Sequence, residues 1–448
     1  MTADRRDQAV RAALAQGLLT EDQPVAALLD VAGIRASARA LRAAFAAVTD
    51  APVLHAFAVK AAPLVPVVAL LNEEGIGAEV ASPGELALAR AAGVRPGDTV
   101  LDSPAKTRAE LAEALELGIA VNADNPQELA RLDALRAAAD NPSAPIGIRV
   151  NAQVGGGTIG ALSTATATSK FGIALRDEGA RRAVVRMCLD RPWVTRLHTH
   201  SGSQGIPLER MIEGIREVYG LAEEINAAAG RRQIDTIDIG GGLPVNFASD
   251  DHTPSFAEYA ALLRMRVPGL LDGRYGLVTE FGRSLLAKNG LILARVEYTK
   301  VSGGRPIAVT HAGVQVATRT VYDPASWPLR IAAYDGKGLP KAGEPVVQDV
   351  AGPACFAGDL LAEGRALPPL EPGDVVAALD TGAYYFSNHY GYNSLPRPGV
   401  YGFSSPAGEG AADGREETVF APVRAPQTVA EIVAESGGEL AGALLRGE

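Results

Sequence analysis

From about residue 50 to 290, short β-branched runs alternate with longer amphipathic ones, and this alternation constrains the fold more than any other feature of the 448 residues. VLHAFAVKA (53–61) leads into LVPVVALLNEEG, and GAEVAS (77–82) into PGELALARAAG. TVLDSP (99–104) leads into TRAELAEALELG, and IAVNADN (119–125) into PQELARLDALRAA. PIGIRVNA (145–152), WVTRLHTHSGS (193–203) and IDTIDIGGG (234–242) each precede a further helical stretch, and YGLVTEFGRSLL (275–286) closes the series. The longer runs carry apolar residues at i, i+3 and i+4 and end in Gly, the helix stop signal. Several short runs are apolar almost throughout, as parallel strands buried on both faces must be. Eight strand–helix units predict a (β/α)8 barrel. A doubly wound sheet is the competing architecture, but no dinucleotide fingerprint accompanies the units.

After residue 290 the texture changes. ILARVEYTKV, RPIAVTHAG, LRIAAYD, PVVQDVAG and DVVAALDTGAYYFS are short strand-like runs divided by Gly and Pro, with helical signal nearly absent until TVAEIVAESGG. This predicts a β-sandwich or small β-barrel domain. The expected boundaries are 1–32 for an N-terminal segment, 33–290 for the barrel and 291–448 for the β domain. Residues 153–168, VGGGTIGALSTATATS, read as a mobile loop over the active face or a disordered insert.

Composition removes several function classes. A net charge of −10 disfavours nucleic acid and acidic membranes as partners. No apolar run approaches the roughly 18 residues of a membrane helix. The N-terminus lacks a signal-peptide core, which predicts a cytoplasmic protein. Two cysteines and six scattered histidines suggest neither a disulfide framework nor a metal site.

Only seven of the 42 basic residues are lysines. Arg replaces Lys on a surface, but not where a primary amine must form an imine. Lys60 ends the first barrel strand after the apolar HAFAV, where desolvation would activate its amine. The alternative is a lysine snorkelling from the rim. Barrel active sites lie at the C-terminal ends of the strands, and other unusual residues collect there. Gly240, Gly241 and Gly242 follow IDTIDI; they could cradle a phosphate or simply form a tight turn. Arg283 offers a cationic fork. Glu280, after the apolar LVT, needs a cation, either a protonated ring nitrogen or a neighbouring Arg. His198 and His200 fall on one face of an alternating strand, with His200 either a stacking or acid/base group or a core histidine. An amine, a ring-stacking group, an acid for a ring nitrogen and a phosphate cup together describe a site for pyridoxal 5′-phosphate.

The chain also resembles the barrel-type (fold type III) pyridoxal phosphate-dependent decarboxylases of diaminopimelate, ornithine, arginine and carboxynorspermidine, over residues 25 to 405. HAFAVKAAP is similar to the family's lysine motif, implying Lys60 as the Schiff-base residue. HTHSGSQ matches the H-x-H-x-G-S segment, implying that His200 stacks on the cofactor ring and Ser203 binds phosphate. DIGGGLPV matches the glycine loop. EFGRSL resembles E-P-G-R, implying Glu280 at the pyridine nitrogen and Gly282 and Arg283 near phosphate. RVNA and SKFGI, with Arg149 and Lys170, match further segments. GPACFAGDLL resembles the stretch with the catalytic cysteine, here Cys355, and GAYYFSNHYGYNSLPRP implies that Tyr384 reaches the phosphate. The resemblance further implies a homodimer in which Cys355 serves the partner's site.

Two departures concern the substrate. Phe356 and Ala357 stand where the diaminopimelate and ornithine enzymes carry an acidic residue for a distal amine. HAGVQVATRTVY replaces the usual D-A-G opening; Arg319 keeps the matching offset, and Tyr322 is one position early. The reading is α-decarboxylation of a small amino acid that is not a simple basic diamino acid, with Arg319, Tyr322 and Phe356 contacting it. A racemase, a non-catalytic cofactor-binding relative and a cofactor-independent barrel hydrolase are the rivals.

Overall fold

The structure is a computed structural model that describes residues 1–138, 144–405 and 418–445. The chain forms two compact units. One comprises Ile34–Asn246 and Asp251–Leu286, and the other comprises Met1–Gly33, Phe247–Asp250 and Ala287–Glu448.

The first unit is the expected barrel. Its strands are Val53–Ala58, Gly77–Val80, Thr99–Leu101, Ala120–Ala123, Ile146–Asn151, Val194–His198, Thr236–Asp238 and Gly276–Thr279. Every pair is parallel, and the last strand returns to the first through Leu277 opposite Val53. The sequence sets where the helices begin. Ser82, Thr107, Asn125 and Ser255 each accept a hydrogen bond from the backbone N–H of a Glu three residues on. This is the side-chain capping that S/T/N-x-x-E patterns encode. The stretch 153–168 is folded. It holds a buried Ala165, donates from the Thr158 N–H to Gly205 O at 3.0 Å, and donates from Thr164 Oγ1 to His200 O at 2.5 Å. Hydrogen bonds to the chain just past the sixth strand therefore tie down a segment whose composition reads as mobile.

The second unit is a mixed sheet. Strand Val25–Asp30 lies between Gly290–Ser302, antiparallel, and Gly399–Ser404, parallel. The 13-residue strand Gly290–Ser302 carries a bulge between Val296 and Tyr298 and pairs onward with Arg305–Thr310. Ala9, Val10 and Ala13 of helix Ala3–Ala15 join Leu28, Leu291, Leu293, Val375 and Phe403 in its core. Strands Leu360–Leu367 and Val419–Arg424 complete the sheet. One element departs from the all-β expectation: Val314–Tyr322 is a helix, kinked at Ala317. Its β-branched residues favour strand, but its first N–H is fixed by the Asp359 carboxylate at 2.6 Å. A tertiary anion at the helix start outweighs local propensity.

Candidate active site

Because all eight strands run parallel, their C-terminal ends share one rim of the barrel. Lys60, His200, Ser203, Gly240, Gly241, Gly242, Glu280, Gly282 and Arg283 all lie just past such an end.

Lys60 sits in the 3₁₀ turn Val59–Ala61, between two buried neighbours, with its own side chain about half exposed. Its Nζ pairs with Glu79, a wholly buried carboxylate on the adjacent strand. Burial pushes the Glu79 carboxyl up, while Lys60 pulls it back down. The amine is thus held in an ion pair, not in the purely apolar pocket that HAFAVKAAP suggests.

The glycine loop is wedged between two neighbours. A Cβ on Gly241 would fall 2.0 Å from Glu280 O, and one on Gly242 (φ +98°) would fall 1.9 Å from Gly202 O. No side chain fits at either position. The loop backbone accepts the Glu280 N–H at Gly240 O, 2.8 Å, and donates from Gly241 N to His200 Nδ1, 3.1 Å. His200 therefore accepts through Nδ1 and carries its proton on Nε2. Burial holds its pKa well below the ordinary range, with Arg149 adding to the effect, so the ring is neutral. Phe281 packs against Phe256 and Tyr259 at 5.3 and 5.5 Å between centroids, anchoring the Glu280–Arg283 turn.

The barrel rim also carries a buried ionic chain. Arg149 Nη1 meets Asp102 Oδ2 at 3.3 Å; Asp102 Oδ1 lies 3.4 Å from His198 Nδ1, and His198 Nε2 lies 3.5 Å from Glu280 Oε2. Glu280 Oε1 is buried with no hydrogen-bond partner among the described residues. Burial opposes charge on His198, but Asp102, Glu280 and Asp238 together raise its pKa well above the usual value. Burial and the nearby Glu280 push Asp238 up to about 8.

Against known proteins, residues 31–287 match the family model described as pyridoxal-dependent decarboxylase, pyridoxal binding domain. The chain belongs to the pyridoxal-dependent decarboxylases. It is 34% identical over 393 residues to the diaminopimelate decarboxylase of Pseudomonas aeruginosa, covering 87% of each chain. It is 31% identical to that of Aquifex aeolicus, covering 77% of this chain and 79% of the relative. The M. jannaschii diaminopimelate decarboxylase in co-complex with L-lysine superposes with a TM-score of 0.81 at 25% identity, over 94% of each chain. The decarboxylase is therefore a pyridoxal phosphate-dependent enzyme. Its barrel rim suits that cofactor: a side-chain-free loop can admit a phosphate, and an orphaned buried carboxylate oxygen at Glu280 awaits a cationic N–H.

The other sequence-predicted residues of the decarboxylase belong to the second unit, where they form two groups. Arg319 lies between two rings, with its guanidinium carbon 5.2 Å from the Trp327 centroid and 4.7 Å from that of Tyr384. Its Nη1 is buried without a hydrogen-bond acceptor among the described residues. Tyr384 adopts φ +64°, a left-handed conformation that costs a non-glycine residue about 1 kcal/mol. The second group surrounds Cys355, which is exposed. Its N–H donates to Asn393 Oδ1 at 2.7 Å, and Asp359 pins the same turn through the Ala354 N–H at 2.7 Å. Beside it Phe356 stacks on Tyr322 at 5.9 Å and 10°, while Tyr390 and Tyr392 stack on each other at 6.1 Å and 11°. Edge contacts of 5.8 and 6.0 Å join these two pairs into a four-ring cluster.

Sequence reasoning assigned no role to Glu79, Asp102, His198, Asp238 or Asp359. A signal existed for Glu79 and Asp238, each a carboxylate inside an apolar strand, which is costly unless partnered. His198 was marked only as sharing a strand face with His200, and nothing local marked Asp102; the partners of both come from other strands.

Proposed function

We propose that this decarboxylase removes the α-carboxylate of an amino acid whose distal end is anionic or neutral, not a free ammonium. The buried, unaccepted Nη1 of Arg319 carries this reading. A guanidinium stacked between rings with an open N–H is a site for a carboxylate-like group. Phe356, standing where the sequence resemblance expects an acidic residue for a distal amine, supports it.

When bound, the cofactor supplies an electrophilic aldehyde and a ring that takes up the electron pair freed with CO2. Lys60 would hold it covalently, with Glu79 keeping the amine at the rim between turnovers. His200 would lie against its ring, and Glu280 would hold a proton at the ring nitrogen. Gly240, Gly241, Gly242, Ser203, Gly282, Arg283 and Tyr384 would bind its phosphate. Cys355 Sγ would deliver the proton that replaces CO2. We further propose a homodimer in which Cys355 of one protomer serves its partner's site, a reading supported by the exposure of Cys355 and of Tyr322.

The relatives' names favour a second reading, diaminopimelate, whose distal carboxylate would also suit Arg319. CO2 release across a panel of amino acids separates the two. The proposal expects highest kcat/KM for a substrate with a neutral or anionic distal group. Preference for meso-diaminopimelate, lysine or ornithine refutes it.

A further inference from the structure

The ionic chain under Glu280 has a feature that the reaction as outlined leaves unused. His198 is wholly buried, and each of its two ring nitrogens faces a carboxylate oxygen, Asp102 Oδ1 at 3.4 Å and Glu280 Oε2 at 3.5 Å. A neutral imidazole has one N–H and one lone pair, so it would turn a lone pair on one of these two buried anions. Only the doubly protonated ring can serve both. These are ion-pair distances without hydrogen-bond geometry among the described residues, and a doubly protonated His198 has no lone pair left for a metal ion, although Asp102, His198 and Glu280 lie close enough to share one.

The surrounding charges fit an imidazolium. Arg149 takes the other oxygen of Asp102 at 3.3 Å. Asp238, on the next strand, donates no negative charge while protonated, and it accepts from Asn122 at 3.1 Å and from the Gly240 N–H at 3.0 Å. The array then reads Arg149⁺, Asp102⁻, His198⁺, Glu280⁻, with charges alternating. His198 thus sets one positive charge between the buried carboxylates of Asp102 and Glu280. His198 Nε2 faces Oε2, and Oε1 is the oxygen with no hydrogen-bond partner among the described residues.

We infer that His198, beside Asp102, is a positioning residue that holds a positive charge against Glu280 and turns one of its oxygens toward the cofactor's ring nitrogen. The inference rests on the assignment of Glu280 to that nitrogen proposed above.

The test compares pyridoxal phosphate with 1-deazapyridoxal phosphate, which has carbon in place of the ring nitrogen. Dissociation constants of both for the apoprotein are measured by equilibrium dialysis in the wild type, His198→Gln, Asp102→Asn and Glu280→Gln. The wild type should prefer pyridoxal phosphate. His198→Gln should lose that preference by roughly 10- to 100-fold, the scale for groups that orient a ligand-contacting residue, with affinity for the deaza compound unchanged. Asp102→Asn should shift it the same way and serves if His198→Gln does not fold. Equal losses for both compounds would mean a merely structural role and overturn the inference. If Glu280→Gln abolishes the preference but the other two variants keep it, only the His198 inference fails. If Glu280→Gln keeps it, the assignment of Glu280 falls too.

Discussion

Replacing Arg319 by Gln is the sharpest probe of substrate choice. In the folded chain the guanidinium is sandwiched at 4.7 and 5.2 Å between Tyr384 and Trp327, with Nη1 open. A hydrogen bond from a charged donor contributes about 1.5–3 kcal/mol. At about 1.36 kcal/mol per factor of ten, its loss lowers kcat/KM by roughly 10- to 150-fold for a substrate with a distal carboxylate. Arg319→Lys keeps the charge but loses the planar fork and the stacking, so it should recover little. The assay is steady-state CO2 release from the carboxylate substrate and from its distal amide. Wild type should discriminate between the two, and Arg319→Gln should treat them nearly alike. If kcat/KM falls equally for both, or if only thermal stability falls while discrimination persists, Arg319 is a structural cation between two rings and the argument fails.

Two further outcomes follow from the barrel. Lys60→Ala should abolish the visible absorbance of covalently held cofactor in the purified protein; survival of the colour would displace Lys60 from its role. Asp238→Asn tests the buried carboxyl through stability. Burial raises the native Asp238 to about 8 from 3.8, so between those values the folded chain holds a proton that the unfolded chain has lost. Wild-type stability must therefore fall as pH rises through this window, by about 1.4 kcal/mol per pH unit from this group. The Asn variant lacks that dependence, and the urea-unfolding difference between the two should widen in its favour from pH 5 to pH 7.5. A difference that stays flat would mean that Asp238 is ionised in the fold.

Much of the architecture was legible because barrel strands advertise themselves twice, by apolar composition and by the capped helices that follow. The eight predicted runs contain all eight observed strands, but the first strand stops at Ala58 and Lys60 falls in the 3₁₀ turn after it and does not end the strand. The second unit was harder. Strands Leu360–Leu367, Gly399–Ser404 and Val419–Arg424 were not read as strands, and helix Val314–Tyr322 was hidden among β-branched residues. There the neighbouring carboxylate of Asp359 decides, and it comes from a different element. Likewise 153–168 has the composition of a linker, yet Gly202 and Gly205 give its backbone partners.

The chain by itself determined the barrel, the scarce amine at its rim and the glycines that leave a rim loop without side chains, since each depends on residue type and local order. Tertiary structure alone decided which charge meets which. Glu79 reaches Lys60, His198 bridges Asp102 and Glu280, and Arg319 lies between Trp327 and Tyr384, each pairing brought together from separate elements. Coulomb energy in a buried site depends on distance through space, and distance along the chain does not report it.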